Sequence, residues 1–148
     1  MNSTLPSTSR SLPIALLRAR ERVMGPIRAM LSDVGITEQQ WRVLRVLQEA
    51  GPLEPTQIAE QACLLLPSLT RILQKLEEKK YIERRRKKAD KRKQSINVTR
   101  KGTSLIEANL PAALALSDQV SARLGVVRYE QLLDLLNELD GTDEPEQS

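Results

Sequence analysis

The 148 residues suffice for one domain with a real core, and 40% of them are hydrophobic, as in an ordinary globular protein. There is no His and one Cys, which nearly excludes metal sites, nucleophile–His chemistry and an internal disulfide; two Tyr, one Trp and no Phe argue against modules that stack RNA bases on aromatic platforms. The net charge of +4 is unevenly spread: Arg71 to Lys101 carries 14 Lys/Arg against 4 Asp/Glu, while the rest carries 9 against 15, a basic patch on an acidic chain and the footprint of a polyanion binder.

No cofactor is expected. Without His, paired carboxylates or a Gly-rich phosphate loop in context, no enzymatic chemistry is expected either. A lone Cys fits a reducing compartment. No apolar run reaches membrane-spanning length and no signal-like apolar region opens the chain, so a cytoplasmic protein with no membrane partner is expected.

In chain order, residues 1–11 are rich in Ser, Thr and Pro and read as a disordered tail. Leu12 to Leu31 reads as a helix, interrupted at Gly25-Pro26 with a kink near Arg22. Thr37 and Gln40 form a capping-box pattern, and the helix they open carries Trp41, Val43, Leu44, Val46 and Leu47 and stops at Gly51-Pro52. Leu53-Glu54 is read as a short strand against the hairpin further on. A helix from Thr56 follows, with Ile58, Ala59 and Ala62 inward. A second begins at Pro67, where a missing N–H is harmless, and runs to Lys79 or Lys80. Its inner face is Leu69, Ile72, Leu73 and Leu76, at helical spacing. Residues 81–84 and 94–98 read as two short strands around an almost wholly charged turn. Thr99 caps a long helix to Leu124, which Pro111 should kink or divide. Gly125 ends it, a last helix spans Arg128 to Leu139, and residues 141–148 form an acidic tail. There is no internal repeat. The fold class is mainly α with a small β-wing (α+β): a winged helix-turn-helix plus an N- and C-terminal helical domain.

The stretch Asp90-Lys91-Arg92-Lys93-Gln94-Ser95-Ile96-Asn97-Val98-Thr99-Arg100-Lys101-Gly102 resembles the wing signature of the MarR family of transcription regulators. Ser68-Leu69-Thr70-Arg71 and Leu76-Glu77-Glu78-Lys79 match that family's recognition helix. Two departures stand out: Val98 replaces the usual Leu, and Lys80 stands where a Gly often ends the recognition helix, so Lys80 should adopt a left-handed conformation at roughly 1 kcal/mol or the helix should end differently. The resemblance spans about residues 12–140. It implies a winged DNA-binding domain over 37–99 and a dimerisation domain formed by 12–36 and 100–140. The apolar surface on the first and last helices independently calls for a partner, most economically a second copy of the chain. A two-fold homodimer sets its recognition helices about 34 Å apart, matching successive major grooves of a palindromic double-stranded operator.

The candidate recognition-helix contacts are Ser68, Thr70, Arg71, Gln74 and Lys75, with Arg71 or Gln74 suited to a bidentate base contact. The alternative for each is a solvated helix face, and for Ser68 a cap. In the wing, the resemblance implies that Arg92 enters the minor groove with Asp90 bracing it, as suits a guanidinium in a narrow negative groove. Lys87, Lys88, Lys91 and Lys93 are candidate phosphate contacts or a nonspecific field; Arg86 is a candidate DNA contact, although which of Arg84, Arg85 and Arg86 faces DNA is left open. Cys63 reads as a buried small apolar side chain, with oxidant sensing as the alternative.

Residues 15–24 and 37–45, together with Ala62-Cys63-Leu64 and Pro67-Ser68-Leu69-Thr70, resemble the family's repressors of aromatic-acid catabolism more closely than the family at large. This implies a small aromatic carboxylate effector between the dimer helices and the winged domain. Arg20 and Arg42 suit the carboxylate, Trp41 and Met24 the ring. The competing reading keeps Trp41 in the core and pairs the Arg residues with Glu21, Glu38 or Glu49. The alternative functions are a MarR-like regulator sensing another effector or an oxidant, and an effector-independent architectural DNA-binding protein.

Overall fold

The computed structural model describes residues 4–87 and 90–141, for 87 and 90–92 the backbone alone. One 3-10 turn, Thr8–Arg10, lies within the stretch read as a disordered tail. Six helices follow among the described residues: α1 (Leu12–Ser32), α2 (Glu38–Ala50), α3 (Pro55–Gln61), α4 (Leu66–Glu78), α5 (Arg100–Leu124) and α6 (Val126–Asp140). Between α4 and α5 an antiparallel hairpin pairs β1 (Ile82–Lys87) with β2 (Asp90–Val98). The chain divides into two compact units, one ending at Pro111 and the other beginning at Ala112.

The core of the first unit assembles where α2, α3, α4, the hairpin and the start of α5 converge. Leu44 and Leu47 of α2, Ile58 of α3, and Leu69, Leu73 and Leu76 of α4 are buried against Ile82, Ile96 and Ile106. The spacing of Leu69, Leu73 and Leu76 leaves Ser68, Thr70, Arg71, Gln74 and Lys75 exposed, as the periodicity demands. The capping box at Thr37 is present: its hydroxyl accepts from Gln40 N–H, and Gln40 Oε1 accepts from Thr37 N–H, both at 3.1 Å. A second box at α3 escaped the pattern. There Glu54 is the N-cap and Gln57 reaches back to its N–H at 2.9 Å, so the helix opens at Pro55 rather than Thr56.

The hairpin is longer than the apolar pattern suggests. Its register runs from Ile82 opposite Val98 to Arg86 opposite Gln94, with an irregularity between Arg86 and Lys87. Leu53 joins its edge through a reciprocal pair of backbone bonds with Ile96, 3.0 and 2.8 Å, the expected short strand reduced to one bridge.

Both prolines expected to break helices lie inside continuous ones. In α1 the residue before Pro26 is Gly25, which has no Cβ to meet the proline ring, so the helix passes through with the loss of one N–H. In α5 the boundary between the two compact units falls directly after Pro111. The last helix starts at Val126, with Gly125 (φ 86°) serving as its N-cap, two residues earlier than the pattern places it. In this second unit Ser117 Oγ and Tyr129 Oη lie 3.2 Å apart, while Leu132, Leu133, Leu135, Leu136 and Leu139 are exposed.

Lys80 does adopt the left-handed conformation, φ 65°, which ends α4 and turns the chain into the wing. Replacing it by Gly removes the Cβ conflict of that conformation, partly offset by the entropy of a freer unfolded chain. Lys80→Gly is expected to stabilise the protein by about 0.5–1 kcal/mol, seen as a higher urea midpoint; a midpoint that falls would show that the Lys80 side chain supplies more than it strains.

Candidate nucleic-acid interface and a cationic cavity

α3, the turn after it and α4 form the helix-turn-helix, and α4 presents its polar face to solvent. Thr70 is partly occupied with its own helix, its hydroxyl donating to the Leu66 carbonyl at 3.0 Å. Ser68, Arg71 and Lys75 line a concavity of about 340 Å³ with Thr37, Gln39 and Gln40 from the start of α2. The positive end of the α2 dipole therefore faces the same space as two cationic side chains, an arrangement that favours phosphate. Leu65 and Leu66 also stand exposed at the start of α4. The run Leu64-Leu65-Leu66 has no periodicity that would have singled them out; exposed methyl groups there suit thymine methyls.

In the wing the three arginines separate. Arg84 is half-buried: Nη1 donates to Gln94 Oε1 at 3.2 Å and Nε lies 3.2 Å from Glu77 Oε2, tying the hairpin to the end of α4. Arg85 points the other way and pairs with Glu83 at 3.5 Å. Arg86 and Lys93 are exposed. Asp90, Lys91 and Arg92 belong to β2, and Lys88 lies outside the described residues.

The base of the wing is closed by the signature Gly. Gly102 is buried at the first turn of α5, and a Cβ built there would lie 2.3 Å from the Tyr81 carbonyl oxygen and 2.7 Å from Val98 Cγ2. Thr99 Oγ1 donates to the Lys80 carbonyl at 2.7 Å and accepts from Gly102 N–H at 3.1 Å. Lys101 adds a bond to the Lys79 carbonyl at 3.0 Å and stands 5.1 Å from the centre of the Tyr81 ring.

A second cavity, about 430 Å³, lies between α1 and α2. It brings together Arg20, Met24, Trp41 and Arg42, which lie in two separate segments of the sequence, and adds Ile27, Glu38 and Arg45. Trp41 is only partly buried; it packs on the core and lines the cavity as well, so the two readings of it are not exclusive. Arg20 does pair with Glu38 (2.5 Å), and Arg28 holds the other Glu38 oxygen at 3.1 Å while binding both oxygens of Glu21 at 2.8 and 2.9 Å. Burial pushes the Glu38 carboxyl up, but the bonds from Arg20 and Arg28 outweigh it and hold it below its ordinary value of 4.5. The Arg28 bond likewise lowers Glu21. Arg42 pairs with no glutamate among the described residues; Nη1 donates to the Ala62 carbonyl at 2.9 Å. With three guanidinium groups against one carboxylate, the lining is net cationic around an apolar and aromatic wall, a composition suited to an aromatic anion.

Cys63 is a correction. It is exposed rather than buried, because it takes a left-handed conformation (φ 54°) in the turn between α3 and α4. Among the described residues there is no cluster of metal-ligating side chains, and no helix is long and apolar enough to cross a membrane.

A helix-turn-helix with an exposed cationic recognition face and a basic β-hairpin beside it defines a transcription regulator acting on double-stranded DNA. The MarR family profile matches residues 36–93. The chain is 37% identical over 137 residues to the HTH-type transcriptional regulator FarR of Neisseria gonorrhoeae, covering 91% of this chain and 94% of that protein. It is 36% identical over 128 residues to the homoprotocatechuate degradative operon repressor of Escherichia coli, covering 86% of each. The structure of NadR in complex with 4-hydroxyphenylacetate superposes with a TM-score of 0.81 at 35% identity, over 90% of this chain and 98% of that one. The protein belongs to the MarR family.

Proposed function

We propose that the protein is a cytoplasmic, homodimeric repressor that binds a palindromic operator and is released by a small aromatic carboxylate seated in the cavity between α1 and α2. The observation that carries the effector reading is the cavity lining: Arg20, Arg42 and Arg45 offer charge for a carboxylate, and Met24, Ile27 and Trp41 offer a wall for a ring. Two relatives bear on the ligand class. One is a repressor named for homoprotocatechuate, and the other, NadR, was crystallised with 4-hydroxyphenylacetate; both compounds are phenolic rings bearing an acetate. Dimerisation is supported by exposed leucines on α1 (Leu12, Leu16, Leu17) and on α6, an apolar load too large for a soluble monomer to leave wet. On the DNA, Ser68, Thr70, Arg71, Gln74 and Lys75 take the major groove, Arg92 braced by Asp90 takes the minor groove, and Arg86, Lys88, Lys91 and Lys93 take phosphates.

The test is a titration of the protein on the intergenic DNA beside its own gene at fixed salt, with 3,4-dihydroxyphenylacetate, 4-hydroxyphenylacetate, protocatechuate and benzoate added separately. One acid is expected to release the DNA at micromolar concentration, and Arg45→Gln is expected to raise the concentration needed about tenfold, the loss of one charge-assisted bond. Specific binding indifferent to every acid would remove the effector and leave the regulator. Binding no tighter than to random DNA would instead indicate an architectural protein.

A further inference from the structure

The three arginines of the cavity are engaged differently. Arg20 faces Glu38, and Arg45 donates to Gln48 on its own helix at 2.7 Å. Arg42 is hydrogen-bonded to the helix-turn-helix, donating to the Ala62 carbonyl. Ala62 is the buried C-cap of α3. The next residue, Cys63, makes the left-handed step, Leu64 N–H returns to the Ala59 carbonyl at 2.9 Å, and Leu65 is already the N-cap of α4. Four residues thus set how the recognition helix leaves α3, and the cavity wall is bonded to the first of them.

We propose that Arg42 is the coupling residue between effector and operator: its guanidinium is shared between the cavity and the Ala62 carbonyl, so an anion in the cavity draws it off the turn. This rests on the effector reading above and assigns what the effector does once bound. A carboxylate is a stronger acceptor for a guanidinium than a neutral carbonyl is, so an anion that pulls the group into the cavity lengthens or breaks its single Nη1 bond to the Ala62 carbonyl. Loss of the bond leaves the buried Ala62 carbonyl short of a partner, and the turn relaxes to satisfy it. The turn is then a two-state element, Arg42 bonded or released, whose balance both ligands bias.

The experiment reads coupling rather than affinity. The chain has one Trp, and Trp41 lines the cavity, so its fluorescence reports effector binding to the free and the operator-bound protein. The ratio of the two Kd values for the effective acid is the coupling factor, on the order of 5–150 in a coupled regulator. Arg42→Gln is expected to bring the ratio close to one, and Arg42→Lys, which keeps the charge and most of the reach, to restore part of it. Arg45→Gln is expected to weaken both affinities and leave the ratio. A wild-type ratio in Arg42→Gln overturns the proposal. A second arm needs no effector: Cys63 is exposed in the turn, and iodoacetamide should alkylate it at least about threefold faster in ligand-free Arg42→Gln, with the circular dichroism unchanged. An unchanged alkylation rate also overturns it. If no acid perturbs Trp41 in the wild type, the effector reading fails, while the alkylation rate still decides whether Arg42 holds the turn.

Discussion

Arg71→Ala is expected to weaken operator binding by about 1–3 kcal/mol for each recognition helix engaged, hence by roughly 2–6 kcal/mol for a dimer on two half-sites. Arg71 is exposed on α4 beside Ser68 and Lys75, opposite the buried Leu69 and Leu73, and its removal disturbs no core contact. The discriminating measurement is a pair of affinities at one salt concentration, on operator and on random DNA. A base-reading arginine loses most of its effect on random DNA. A phosphate-binding one loses the same factor on both and flattens the salt dependence by about 0.9 per contact and half-site. Equal losses on the two DNAs would therefore move base recognition from Arg71 to Gln74, the other bidentate candidate on that face.

The second large effect is structural. Gly102→Ala is expected to destabilise the protein by about 3 kcal/mol, because the new Cβ would meet the Tyr81 carbonyl at 2.3 Å and Val98 Cγ2 at 2.7 Å. The oxygen cannot yield easily: it accepts the Thr99 N–H at 3.0 Å, and Thr99 in turn holds the Lys80 carbonyl. The measurement is a urea midpoint, with DNA affinity taken well below it. A fall confined to the midpoint would show that the clash is absorbed within α5. A loss of affinity in protein that is still folded would show that the displaced Tyr81 carries the wing with it. A midpoint equal to the wild type would sink the close-approach account of the signature glycine.

Much of this fold is legible in the sequence, for identifiable reasons. The burial of Leu69, Leu73 and Leu76 follows from helical spacing, and the start of α2 from a Thr and Gln three residues apart. The misses have physical causes as well. Glu54 is outside the usual set of capping residues, so the pattern puts the start of α3 one residue late. The apolar neighbours of Cys63 suggest burial, but a left-handed backbone step turns it outward, and no side-chain pattern announces that. Strand alternation shows that Arg85 opposes Arg84 and Arg86, not which side faces DNA; Glu77, distant in sequence, decides that Arg84 is held inward. Arg45 does carry a sequence signal: Glu38, Trp41, Arg42 and Arg45 fall at i, i+3, i+4 and i+7, one face of α2.

The engagement of Arg84 with both Glu77 and Gln94 has a consequence for the shape of the target. On the proposed reading, with α4 in the major groove and the wing in the minor groove, it gears the two elements together, so they would not be phased independently along the duplex. Each half of the operator is then read as a word of fixed length. One base pair inserted inside it rotates one contact relative to the other by about a tenth of a turn, a mismatch that a hinged hairpin would absorb and this one would not.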